Sequence, residues 1–130
     1  MLNTFPKSEK LVSRTLIDRL FAGGGKAISA FPLRLVYMYI DEQEAAAATI
    51  DDRAHLQQQL LISVPKRCFK RAVKRNHVKR QIREAYRRHR DLFTVPPGHR
   101  LLMAFIWLDP NIHPSEEIEK KVTSLLKRIK

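Results

Sequence analysis

Residues 60–90 read LLISVPKRCFKRAVKRNHVKRQIREAYRRHR. The first five are a near-continuous apolar run, interrupted by Ser63 and closed by Pro65, which is the form of a strand buried on both faces. From about Arg71 the period changes. Val78, Ile82, Ala85 and Tyr86 recur at i, i+4, i+7 and i+8, so a helix running to about Arg90 would present one apolar stripe to a core. Asn76, Lys79, Arg80, Arg83, Arg87 and Arg90 fall on the other side of that helix. The segment Lys66–Arg90 holds twelve of the chain's 25 Lys and Arg residues against one acid, Glu84. Like charges four apart repel by a few tenths of a kcal/mol each. A solvated helix face normally intersperses Glu against that repulsion, whereas a bound polyanion removes it.

Outward from this stretch, the 130 residues suffice for one domain, residues 1–130. The formal charge is +12 and the pI about 10.4, which favours a lattice of phosphates as partner. No segment carries the Trp/Phe/Leu face of an interfacial helix, and no run of eighteen apolar residues or signal peptide is visible. A cytoplasmic protein with no membrane partner is expected. The single cysteine, Cys68, excludes an internal disulfide and reads as a loop thiol.

Toward the N-terminus, Thr15-x-x-Asp18 has the form of a helix start, Leu16, Ile17, Leu20 and Phe21 make its stripe, and Gly23-Gly24-Gly25 stops it. Leu33–Ile40 alternates as a strand, with Leu33, Leu35, Tyr37 and Tyr39 on one face and Arg34, Val36, Met38 and Ile40 on the other. Arg34 could face a polyanion or solvent. Residues 41–59, acidic and Ala- and Gln-rich, read as a flexible or extended connection between strands. Past the basic helix, Pro96-Pro97-Gly98 marks a turn and Leu101–Leu108 a third strand. A last helix starts at Ser115 as N-cap, with Glu116 and Glu117 in its first turn and Ile118, Val122, Leu125, Leu126 and Ile129 buried. The element order is αββαβα. The strand, helix and strand between Leu60 and Leu108 form a crossover unit whose strands should lie parallel.

No catalytic constellation is visible. The five histidines lack metal-finger spacing, and the Gly-rich run follows a helix instead of opening one. Function should then lie in binding, with Arg and Lys of the cationic row on phosphates. Asn76 could contact the same ligand or cap backbone, and His77 could be a plain surface residue.

The order Ala72-Val73-x-Arg75-Asn76-x-x-Lys79-Arg80-x-x-Arg83-Glu84-x-x-Arg87, preceded by Leu61–Arg67, resembles the signature of the bacterial ribonuclease P protein component. The family core Arg-Asn-Arg is Arg75-Asn76-His77 here, which implies one weakened contact. The resemblance implies an α+β fold, a two-layer α/β sandwich with a mostly antiparallel sheet, like a ribosomal protein domain. It also implies a left-handed hand for the crossover, where general rules favour the right.

The same resemblance implies a subunit of an endoribonuclease, a hydrolase that removes the 5′ leader of precursor tRNA. Its partners would be the catalytic RNA and precursor tRNA, with no further protein required, and catalysis would belong to the RNA. Magnesium would be held mainly by that RNA and none by the protein alone. Carried over residue by residue, the RNA-binding set is Lys66, Arg67, Arg71, Arg75, Asn76, Lys79, Arg80, Arg83 and Arg87. The leader groove would take in Lys10, Ile17, Phe21 and Tyr37, although Ile17 stands where the family commonly has Phe and both helix residues could be ordinary core. Two readings compete: a structural RNA-binding protein of ribosomal type without a processing role, and a helix-turn-helix DNA binder, which three strand signals oppose.

Overall fold

The computed structural model of the protein describes residues 14–41 and 58–129. Seven regular elements occur in it: α1 (Arg14–Arg19), β1 (Lys26–Ala30), β2 (Leu33–Asp41), β3 (Gln58–Ser63), α2 (Ala72–Arg88), β4 (His99–Trp107) and α3 (Ser115–Lys127). The strands form one sheet in the order β1-β2-β4-β3. The β1/β2 and β2/β4 pairs are antiparallel, and β3/β4, joined through α2, is parallel as the crossover predicts. The α+β class expected from the sequence is the observed one.

The sheet's two faces are filled differently because its strands alternate. Leu33, Leu35 and Tyr37 of β2 and Leu101, Met103, Phe105 and Trp107 of β4 pack under α2 and α3. From above, α2 supplies Val78, Ile82, Ala85 and Tyr86, the stripe read from its period, and α3 supplies Ile118, Val122, Leu125 and Leu126. Burying each large side chain of this set contributes about 1.5–3 kcal/mol, so this interface holds the fold. On the other face Val36, Ile40, Leu102 and Ala104 lie beneath Leu16 and Leu20. Only the short α1 and the π-turn that continues it, Leu20–Gly24, cover that side among the described residues.

Several expectations are corrected. Lys26–Ala30 is a fourth strand the sequence did not announce: its residues are largely exposed, so it exists through pairing with β2 and not through a pattern of its own. The order is therefore αβββαβα. Thr15 lies within α1 instead of ahead of it. Gln58 and Gln59, assigned to the connection, belong to β3, where Gln59 is buried and accepts from Nη1 of Arg100 at 3.3 Å. A fully buried guanidinium needs such an acceptor. β3 pairs with β4 alone and is half-buried over most of its length, so it is an edge strand and not one buried on both faces.

Ser115 is not the N-cap of α3. That position is Pro114, whose carbonyl accepts from the amides of Glu117 and Ile118, while Ser115 Oγ accepts from Gln81. The Pro96-Pro97-Gly98 turn is present, closed by the His99 amide on the Pro96 carbonyl at 3.2 Å. Its third residue needs φ of +78°, which glycine alone adopts freely. Gly25 answers a different need: a Cβ there would meet Val36 Cγ1 at 3.0 Å and the Leu20 and Tyr37 carbonyl oxygens at 3.1 Å. Its absence lets the π-turn close onto β2.

Candidate nucleic-acid interface

The cationic surface begins in the turn that follows β3. The Cys68 amide donates to the Pro65 carbonyl at 3.0 Å, and Phe69 is buried in the main core, so the loop is pinned from beneath. Lys66, Arg67, Lys70 and Arg71 are all exposed around that anchor. Arg71 is the N-cap of α2; no side chain caps the helix and its first turn holds no acid. The partial positive charge of the helix start thus adds to four side-chain cations.

Arg75 has a role the sequence reading missed. Its Nη1 donates to the Phe69 carbonyl at 2.8 Å and the Lys70 carbonyl at 2.9 Å, which ties the loop back to the first turns of the helix. Nothing in spacing could show this, because the acceptors are backbone. Asn76, one residue on, is exposed in the second turn and away from the N-cap, so the capping alternative is not what is observed.

Along the row, Asn76 and Arg80 are exposed, and Lys79, Arg83 and Arg87 are half-buried. The row ends earlier than expected. Arg90 belongs to a 3-10 turn after the helix, and its guanidinium lies 6.0 Å from the centroid of the Tyr86 ring. Glu84 sits within reach of two cations, accepting from Arg87 at 2.6 and 3.2 Å and lying 4.0 Å from Arg88. The hydrogen bond from Arg87 holds the Glu84 carboxyl below its usual range, and the nearby Arg87, Arg88 and Arg83 charges add to that. Part of Arg87's charge is therefore already answered within the helix.

The face of the sheet beneath α1 carries a second surface. Ile17 is half-buried, and Phe21, on the π-turn, is 46 % exposed. Met38, Leu61 and Ile106 pack against the same cluster while staying partly open, and Arg34 stands exposed beside them. Tyr37 is not brought together with Ile17 and Phe21. It is 3 % exposed in the core under α2 and α3, on the opposite face, because adjacent strand residues alternate. Lys10 lies outside the described residues, as does most of the connection at 42–57. The sequence separated Arg34 and Met38 from Tyr37 by alternation, but which face α1 would leave partly open is a tertiary fact.

Between α2 and α3 lies a cleft of about 250 Å³ bordered by His77, Arg80, Gln81, Glu84, Arg88 and Glu119. It is a packing seam: Gln81 Nε2 donates to the His113 carbonyl and Ser115 Oγ, each at 3.0 Å, and His89 meets Glu119 at 2.7 Å. His113 is held by Asp109 at 2.5 Å and Glu117 at 3.1 Å, with its ring edge-on to Trp107. Among the described residues no three His, Cys, Asp or Glu side chains gather to hold a metal ion, and no helix is long and apolar enough to cross a membrane.

Comparison with known proteins gives the family and the fold. Residues 5–130 match the family model described as Ribonuclease P. A ribonuclease P protein component from Porphyromonas gingivalis is 36 % identical over 126 residues, 95 % of this chain and 84 % of that one. Another from Chlorobaculum tepidum is 29 % identical over 112 residues, 81 % of this chain and 68 % of its own. Among solved structures, the ribonuclease P protein of Thermotoga maritima superposes with a TM-score of 0.69 at 20 % identity, covering 94 % of this chain and 98 % of that one. That of Staphylococcus aureus gives 0.67 at 21 % identity, covering 93 % and 94 %. At these identities the structures establish the shared fold.

Proposed function

The chain belongs to the ribonuclease P protein component family, which works in tRNA processing as part of a ribonucleoprotein endoribonuclease, and we propose that it does so through two RNA surfaces on opposite sides of its sheet. The catalytic RNA binds the loop and helix side, where Lys66, Arg67, Arg71, Asn76, Lys79, Arg80, Arg83 and Arg87 meet phosphates. Arg75 contributes by holding the loop against the helix. The 5′ leader of precursor tRNA lies on the other face, along Ile17, Phe21, Met38 and Arg34, with Lys10 as a further candidate.

The observation that carries this reading is the cationic end of α2, exposed basic side chains around a helix start with neither acid nor side-chain cap. Such a site binds phosphate through charge and backbone amides together. The protein's contribution to hydrolysis is then affinity and positioning: it offsets repulsion between two polyanions and orients the leader. In this reading magnesium is held mainly by the phosphates of the partner RNA.

The test is the affinity of the reconstituted particle for precursor tRNA against mature tRNA. A clear preference for the precursor that disappears when this chain is omitted supports the leader surface. Equal affinities leave an RNA-binding protein of structural type.

A further inference from the structure

Phe31 sits in the turn between β1 and β2 with 61 % of its surface exposed. One exposed apolar side chain is ordinary; its setting is not. Pro32 beside it is buried, and the Pro32 carbonyl accepts the Leu108 amide at 2.9 Å, which anchors the turn to the end of β4. On the other side Arg128 Nη1 donates to the Ser29 carbonyl at 2.8 Å and ties the β1 edge to the end of α3. The ring is thus carried on an anchored hairpin.

The turn that carries Phe31 adjoins a row of paired residues that crosses the sheet. Ser29 faces Arg34, Arg34 faces Ile106, and Ile106 faces Ser63, all on the α1 side of the sheet. Ser29 and Arg34 are exposed and Ile106 and Ser63 half-buried. Lys66 and Arg67 follow Ser63 on the β3 side, and Phe31 lies in the turn just beyond the Ala30–Leu33 pair, next to the β1–β2 part of the row. Three strand spacings separate β1 from β3, about 14 Å. The row and the turn beside it therefore bring together a cation, hydroxyls and an aromatic ring, the combination that holds single-stranded nucleic acid by phosphate contact and base stacking.

We propose that Phe31 is a stacking platform for one nucleobase of the single-stranded leader, with Arg34 on the adjoining phosphate, so that the leader crosses the sheet along the Ser63–Ile106–Arg34–Ser29 row. This rests on the leader-binding reading and extends it to a residue on β1's turn, beyond the reach of α1.

The experiment uses the reconstituted particle and precursor tRNAs whose leaders are shortened one nucleotide at a time. With the wild-type chain, affinity rises stepwise with leader length. Phe31→Ala removes one of the later steps, a loss of roughly 5- to 100-fold, leaves shorter leaders unaffected, and Phe31→Trp restores it. The proposal is overturned if Phe31→Ala changes affinity for no leader or for all lengths equally, or if it weakens binding of the catalytic RNA alone. A wild-type particle indifferent to leader length would instead overturn the leader-binding reading itself, and this inference with it. Phe31→Ala removes only an exposed ring, and an unchanged thermal midpoint shows that the variant is folded.

Discussion

Arg75 Nη1 lies 2.8 Å from the carbonyl oxygen of Phe69, so a cation of the helix closes the loop that precedes it. Phe69 is itself buried, and the bond therefore couples the cationic loop to the core. Arg75→Ala should lower stability by about 1.5–3 kcal/mol, the range for a hydrogen bond to a charged group, and weaken RNA binding by more than one lost charge would. Arg75→Lys keeps the charge but not the planar fork, so it should recover only part of both. Urea unfolding and RNA titration of the two variants check this.

Arg83 stands in the middle of the row, half-buried against its neighbours. If α2 and its loop contact about six to ten phosphates, affinity for the catalytic RNA falls roughly 10³- to 10⁵-fold between 50 and 200 mM salt. Arg83→Ala should reduce the logarithmic salt slope by about one. Glu84→Gln should move it the other way, because it releases the Arg87 guanidinium from its internal partner. An unchanged slope in both would place this row outside the interface.

The family resemblance groups Phe21 with Tyr37, and the structure separates them across the sheet. Phe21→Ala should leave stability within about 0.5 kcal/mol, as for other surface changes, while lowering affinity for precursor tRNA but not mature tRNA. Tyr37→Ala should cost roughly 3–5 kcal/mol, as for other large aromatic truncations in a core, with no selectivity for the leader. Thermal unfolding beside a precursor-to-mature affinity ratio distinguishes the two.

Protonation links stability to pH through the turn between β4 and α3. The hydrogen bond to Asp109, assisted by Glu117, raises the pKa of His113 above its ordinary 6.5, against an opposing effect of burial. Asp109 is lowered from its ordinary 3.8, chiefly by the same bond. A histidine raised on folding stabilises fully below its unfolded value and loses that as pH rises through the folded one. A carboxylate lowered on folding stabilises above its unfolded value and loses that as pH falls through the folded one. The two shifts describe one ion pair, whose contribution is greatest between about pH 4 and 6.5. His113→Gln should flatten the dependence of the thermal midpoint on pH over the window above 6.5.

How much was legible follows from the range of the interactions involved. The α2 stripe of Val78, Ile82, Ala85 and Tyr86 was readable because helix period is local, and all four are buried as expected. The β2 alternation was readable for the same reason. β1 was not, because its stability comes from its register with β2 and from Arg128, 99 residues from Ser29. Arg75 was legible as a cation and not as a loop tie, since backbone acceptors leave no trace in the residue pattern. Tyr37 was misplaced because alternation gives two faces and does not say which one a short helix will leave open.

The central claim is that a cationic helix and its loop seat the chain on a catalytic RNA so that a leader can be positioned. Its most direct test is cleavage of precursor tRNA by the matching catalytic RNA at low magnesium, with and without this chain. The account predicts strong stimulation by the wild-type chain and loss of most of it with Arg80→Ala combined with Arg83→Ala, the double variant being folded. No stimulation by a chain that still binds the RNA tightly would contradict it.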